Sequence, residues 1–383
     1  MRFGRQLLAS GMTKASRIPF VLVPFPDPAM KEAAIFDRLI AHWQKLRSRS
    51  VTDTLAPRQA CTGTDPLSGW DSPAVSSDVP ASVRRRIRTW AERIAAYHAR
   101  NSRLAHLSKE DLARVEQLSR GATVAGIATP DKADELAASL HADFPWMAEA
   151  TTAVWNAMRR SVVSGEIGFR LEPLLLDGPP GIGKSSWARA LARLLGVEGI
   201  VFDATGEQAS FGITGLQIGW SGSIIGRPLD LILRTKGANP IFVIDEIDKA
   251  GTARSSKDAS FGLAEALLPF LEKSSAASWN CPTLRLPFDM SWIGWVLTSN
   301  DMNVLPDPLI NRCTVVRLQN LTLAQLQAFA DREGRRRGLQ EMSIDAVNHA
   351  LASAISRGVV PNLRTVTRRL DHALVLESLP RWH

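Results

Sequence analysis

Gly178-Pro179-Pro180-Gly181-Ile182-Gly183-Lys184-Ser185 is the stretch on which the reading of this 383-residue chain turns. It satisfies G-x-x-x-x-G-K-[ST], the spacing of a phosphate-binding loop. Its flanks fit: the apolar run Leu174–Leu176 reads as a strand before it, and Trp187 to Leu195 as a helix after it. Glycines let backbone N–H groups converge on phosphate oxygens, and the helix N-terminus adds positive potential. Lys184 is placed for the β/γ-phosphates and Ser185 for Mg²⁺, with Ser186 closing the nucleotide-binding set that begins at Gly178. The ligands implied are ATP and Mg²⁺.

Outward from the loop, Ile241-Phe242-Val243-Ile244 is a second apolar run, ending in Asp245-Glu246. Ligands of open α/β sheets bind at the carboxyl ends of strands, where these two acids fall. Asp245 is the candidate Mg²⁺ ligand beside Ser185, and Glu246 the group that polarises an attacking water. Val296-Leu297-Thr298-Ser299-Asn300 ends in a polar residue that is either a γ-phosphate sensor or a capping asparagine. In Pro308-Leu309-Ile310-Asn311-Arg312, the arginine is either a finger reaching a neighbouring subunit's nucleotide or a salt-bridged surface residue. Further runs at Ile200–Phe202, Ile293–Thr298 and Thr314–Leu318 alternate with helical patterns. That alternation predicts a parallel sheet covered on both faces.

These motifs, in this order, resemble an AAA+ ATPase, and most closely the ATPase module of the Lon proteases, over roughly residues 165–380. The resemblance rests on residues 178–185, 241–249, 297–300 and 308–312. It implies an α/β P-loop NTPase with a parallel sheet flanked by helices, a C-terminal helical lid, and assembly into a ring, expected to be a hexamer. It also implies a pore loop: Trp220, between Gly219 and Gly222, falls at the aromatic position of the pair that grips polypeptide in that family. Ser221 departs from the aliphatic position of that pair. In the lid the family's Gly-x-Arg is replaced by Pro361-Asn362-Leu363-Arg364, so Arg364, one turn on, is the candidate second sensor. The family's peptidase domain follows its ATPase module, and this chain ends at His383, so an ATPase without that peptidase is expected.

Charge divides the chain. Lys and Arg number 46 against 38 Asp and Glu, a formal net charge of +8. Residues 1–120 hold 20 basic and 11 acidic residues, and residues 121–383 hold 26 and 27. The surplus therefore belongs to the N-terminal third and points to nucleic acid, an anionic surface or an acidic protein as its partner. Its densest feature is Arg84–Arg88, on a helix expected from Pro80 to about Asn101. Helices are also expected over Lys31 to Trp43 and from Ser108, with a linker over Ser50 to Ser82 and loose structure over 1–80. The expected domains are a basic, mostly helical, partly disordered region 1–125, a nucleotide-binding subdomain 126–318, and a lid 319–383.

Three widely spaced cysteines, Cys61, Cys281 and Cys313, form no metal or disulfide pattern and suit a reducing cytoplasm. No apolar run reaches the ~18 residues of a membrane span. The function expected is ATP-driven remodelling or unfolding of protein substrates, with a client or adaptor recruited by the N-terminal region. A nucleic-acid-directed ATPase or an ATP-dependent switch is the alternative.

Overall fold

A computed structural model describes residues 16–54, 79–206, 209–216, 224–250, 252–254 and 260–378. The chain forms two compact units: one is Val23–Glu116, and the other joins the described residues of 1–22 to those of 117–383. No described helix is long and apolar enough to cross a membrane.

In the smaller unit, α1 (Glu32–Thr54) and α2 (Ala81–Arg100) pack together, followed by α3 (Lys109–Glu116). Ile35 of α1 and Ala91 of α2 are buried, and the Arg88 guanidinium lies 5.6 Å from the centre of the Phe36 ring. Helix α1 outruns the expected end at Trp43, because no glycine or proline intervenes before Pro57. Helix α3 begins as read: the Ser108 hydroxyl accepts from the Asp111 N–H at 3.1 Å.

The larger unit opens with β1 (Ser16–Ile18), antiparallel to β2 (Ala122–Val124). This corrects the expectation of loose structure through residue 80. Phe20 is fully buried with its ring 5.5 Å from Phe288, so extended backbone that tolerates Pro19 carries core side chains. The smaller unit ends at Glu116.

Helices α4 (Pro130–Asp143) and α5 (Ala148–Val163) precede the sheet. Strand β3 (Leu174–Asp177) leads into α6 (Lys184–Leu194), then β4 (Gly199–Asp203), α7 (Ala209–Thr214), α8 (Arg227–Thr235) and β5 (Ile241–Asp245). Two short pairs follow, β6 (Thr252–Arg254) with β7 (Ser260–Gly262), and β8 (Trp279–Asn280) with β9 (Pro287–Phe288). Between them lie α9 (Leu263–Leu271) and α10 (Lys273–Ala276); β10 (Gly294–Ser299), α11 (Asp307–Ile310) and β11 (Thr314–Arg317) complete the subdomain. The five main strands are parallel, in the order β11-β3-β10-β5-β4. Every residue of β10, and the first four of β5, are buried, as a sheet covered on both faces requires.

The lid is three helices, α12 (Leu323–Arg336), α13 (Glu341–Ser356) and α14 (Leu363–Ser378). A capping box starts it: the Thr322 hydroxyl accepts from the Gln325 N–H, and the Gln325 carbonyl oxygen accepts from the Thr322 N–H. Gly334 lets α12 and α13 approach, since a Cβ there would lie 2.8 Å from Ile344 Cγ1.

Candidate functional site

Strand order builds the site. Because β3, β10 and β5 are parallel neighbours, their carboxyl ends line up and bring residues 178–185, 298–300 and 245–246 together. The turn after β3 needs glycine: Gly181 has φ +79° and Gly183 φ +96°, and Gly183 caps α6. A Cβ on Gly181 would also run into Asn362 at 2.6 Å.

Lys184 is 7% exposed. Its ammonium donates to the carbonyls of Gly178 and Pro179 and to Asn300 Oδ1, the last at 3.0 Å. Burial holds its pKa below the ordinary lysine value, while the charges of Asp177, Asp248, Asp245 and Glu246 oppose that shift. Ser185 Oγ donates to Asp245 Oδ1 at 2.7 Å, and Thr298 Oγ1 donates to the same oxygen at 2.6 Å. Thr298 Oγ1 also accepts from the Glu246 N–H at 3.1 Å. Glu246 sits in the left-handed region, φ 55° and ψ 47°, a conformation uncommon outside glycine that turns the chain sharply after β5. Its carboxylate is paired with Lys249 Nζ at 2.8 Å.

These groups line a cavity of about 710 Å³ between the sheet subdomain and the lid. Pro180, Gly181, Gly183, Lys184, Ser185, Ser186, Asp245, Glu246, Asn300 and Arg364 all reach it. Gly178 and Pro179 contribute the carbonyls on Lys184 instead. The Ile182 side chain is buried in the core, and its carbonyl accepts from Trp146 Nε1 at 2.9 Å. Arg312 is not at its own chain's cavity: it donates to the Pro308 carbonyl at 2.9 Å and pairs with Glu272 at 3.4 Å. Trp220 lies outside the described residues. The segment carrying it is flanked by a bridge between Gly215 and Ile225, and the Thr283 hydroxyl meets the carbonyls of both Leu216 and Ile224.

The cavity also holds residues that the sequence reading passed over. Thr298 was visible only as part of a strand. Three arginine pairs, Arg189/Arg193, Arg332/Arg336 and Arg364/Arg368, line the wall, each at i and i+4. That spacing puts both members on one helix face, and it was the available signal. Arg332 spans the gap, donating to the carbonyls of Ala142 and Asp143 at 2.6 Å each, where α4 ends. Phe144 and Phe329 line the same space, each edge-on to Trp146.

The donor set suits a magnesium nucleotide. One hydroxyl and one carboxylate converge at the end of the loop, a buried ammonium lies beside them, and guanidiniums surround an opening with aromatic edges. Comparison with known proteins agrees. Residues 174–321 match the family model described as ATPase family associated with various cellular activities (AAA). Residues 174–321 are an AAA domain.

This AAA domain is similar to parts of Lon proteases. The chain is 31% identical over 190 residues to the mitochondrial Lon protease homolog of Yarrowia lipolytica, covering 48% of this chain and 16% of that protein. It is 32% identical over 202 residues to Lon protease of Buchnera aphidicola, covering 51% and 24%. With the mitochondrial homolog of Phaeodactylum tricornutum the match is 31% over 234 residues, 57% and 25%. The chain thus spans a quarter or less of these relatives. Among solved structures, a closed-state cryo-EM reconstruction of Hsp104 with ATPγS and FITC casein matches with a TM-score of 0.50 and 15% identity. It covers 75% of this chain and 51% of that one, and at this identity it supports the fold alone.

Proposed function

We propose that this chain is an ATP-hydrolysing AAA+ machine that remodels or unfolds protein substrates, working as a ring, with six subunits the expected number. The observation that carries the ATPase reading is the constellation of Lys184, Ser185, Asp245, Thr298 and Asn300, joined by hydrogen bonds at the carboxyl edge of β3, β10 and β5. In it, Lys184 binds the β/γ-phosphates, and Ser185 and Asp245 hold Mg²⁺. Held by Ser185 and Asp245, Mg²⁺ would supply neutralisation of the charge on the phosphoryl oxygens. Thr298 fixes the Asp245 carboxylate. Glu246 draws the proton from the attacking water, and Asn300 orients it towards the γ-phosphate. Glu246 must leave Lys249 to do so. Phe144 and Phe329 offer apolar faces to the base. Arg364 and the arginines around it meet the phosphates from the lid side.

Arg312 supports assembly. It stands away from its own chain's cavity on the surface beside α11, the position from which a side chain can complete a neighbour's site. Trp220 is the residue expected to pull on polypeptide, and the basic N-terminal unit the one expected to recruit a client or adaptor. The test is Glu246→Gln. Hydrolysis should fall by roughly 10²–10⁴-fold with ATP binding retained. Turnover equal to the parent's would remove Glu246 from the mechanism.

A further inference from the structure

Helix α2 carries a second pattern besides the one that packs it. At 100° per residue, Arg86, Trp90, Arg93, Tyr97 and Arg100 fall within about 80° of one another, on a single stripe. The buried Ala91 points elsewhere. Trp90 is 62% exposed and Tyr97 67%, and all three arginines are exposed. Two rings left in water are costly unless something covers them. With Arg93 and Ile94 they enclose a shallow depression of about 250 Å³. Glu92, the one acid of the helix, lies about 120° from the centre of the stripe.

The order along the stripe decides the chemistry. Guanidinium and ring alternate, and rings and guanidiniums each repeat every seven residues, about 10.5 Å. Protein interfaces draw on the same Trp, Tyr and Arg, but gather their rings into one apolar centre inside a polar rim. Here every ring lies between guanidiniums, so no uncharged centre exists. Phosphates beside guanidiniums, with bases stacked on the rings between them, satisfy both halves of the pattern. A duplex keeps its base faces inside the stack and cannot use the rings. We infer that the α2 stripe is a binding surface for single-stranded nucleic acid, with phosphates on Arg86, Arg93 and Arg100 and bases on Trp90 and Tyr97. From Arg86 to Arg100 the stripe runs about 21 Å, room for roughly six nucleotides at ~3.4 Å each.

The test uses the full chain and fluorescence anisotropy with labelled dT12, U12 and a 12-base-pair duplex. Both single strands should bind more tightly than the duplex, and their ratio tells DNA from RNA. Affinity for oligothymidylates should rise with length to about six nucleotides and then level off. Trp90→Ala/Tyr97→Ala should weaken dT12 binding at least tenfold with the salt dependence unchanged. Arg86→Gln/Arg93→Gln/Arg100→Gln should lower the slope of log affinity against log salt by about 2. All five side chains are exposed, so both variants should melt with the parent. Binding that neither variant alters, a preference for duplex, or displacement of dT12 by polyglutamate at equal charge would each overturn the assignment.

Discussion

The Asp245 carboxylate receives two hydroxyls on one oxygen, and one of them, Thr298 Oγ1, also takes the backbone N–H of Glu246. A single methyl-for-hydroxyl exchange at a 1%-exposed position therefore touches both the metal ligand and the proposed base. Thr298→Val should cost about 1–3 kcal/mol in unfolding free energy, because it strands a buried N–H. It should also cut turnover about 10–100-fold, through a less well-held ligand. Denaturant melts and steady-state hydrolysis measure the two effects separately. Lys184 gives a pH signature. Burial lowers its pKa in the nucleotide-free protein, so it loses its proton, and its hold on phosphate, at a pH below that of an ordinary lysine. ATP affinity by calorimetry should therefore begin to weaken at a pH below the ordinary lysine value of 10.5, and a profile flat up to that value would remove Lys184's charge from binding. Thr298 escaped the sequence reading because a threonine in an apolar strand is an ordinary strand residue. Only the β10–β5 register places its hydroxyl at the end of the neighbouring strand.

At the scale of elements, all five strands of the main sheet were legible: β3, β5 and β10, buried on both faces, read as continuous apolar runs between turn signals, and the partly exposed edge strands β4 and β11 still carry short apolar runs. Strand β1 was not legible. It is three residues long, its partner is over a hundred residues away, and the prolines at 19, 24 and 26 obscure the apolar run it opens. The lid's role in lining the site was half legible, through Arg364 alone. The rest depends on how α12 docks against the end of α4, which no local pattern encodes. Within α12, Glu333 is 9% exposed and gathers Arg336 and Arg337. The Arg336 hydrogen bond leads in holding its carboxyl below the usual glutamate value, and Arg337 adds to it. A depressed folded pKa means stability that is present above the unfolded value of 4.5 and lost as pH falls through the folded one. Glu333→Gln should destabilise the chain by about 1–3 kcal/mol at pH 7, and by less at pH 4. Thermal melts at the two pH values check the sign. The variant should also weaken ATP binding, because Arg336 lines the cavity.

For the whole molecule, the charge surplus of the N-terminal third is shared between the units: Val23–Glu116 holds 15 basic and 11 acidic residues, the five other basic residues of 1–120 belong to the larger unit, and the AAA domain lies in the near-neutral residues 121–383. Ring assembly is tested by complementation. Arg312→Ala and Lys184→Ala should each abolish most hydrolysis for different reasons. Mixed at equal concentration, they should regain activity, because an intact Arg312 from one chain can serve the intact loop of the other. No recovery in the mixture, with both variants able to associate, would mean that Arg312 acts elsewhere. One contact ties the phosphate loop to the C-terminal helices. The Leu363 N–H donates to the Gly181 carbonyl at 3.1 Å, so the last lid helix starts on the phosphate loop itself. With its fulcrum there, the 16 residues of α14 make a lever of about 24 Å. A turn of ~10° at the loop would sweep its far end by about 4 Å, a stroke of molecular size from a change no larger than a peptide's reorientation.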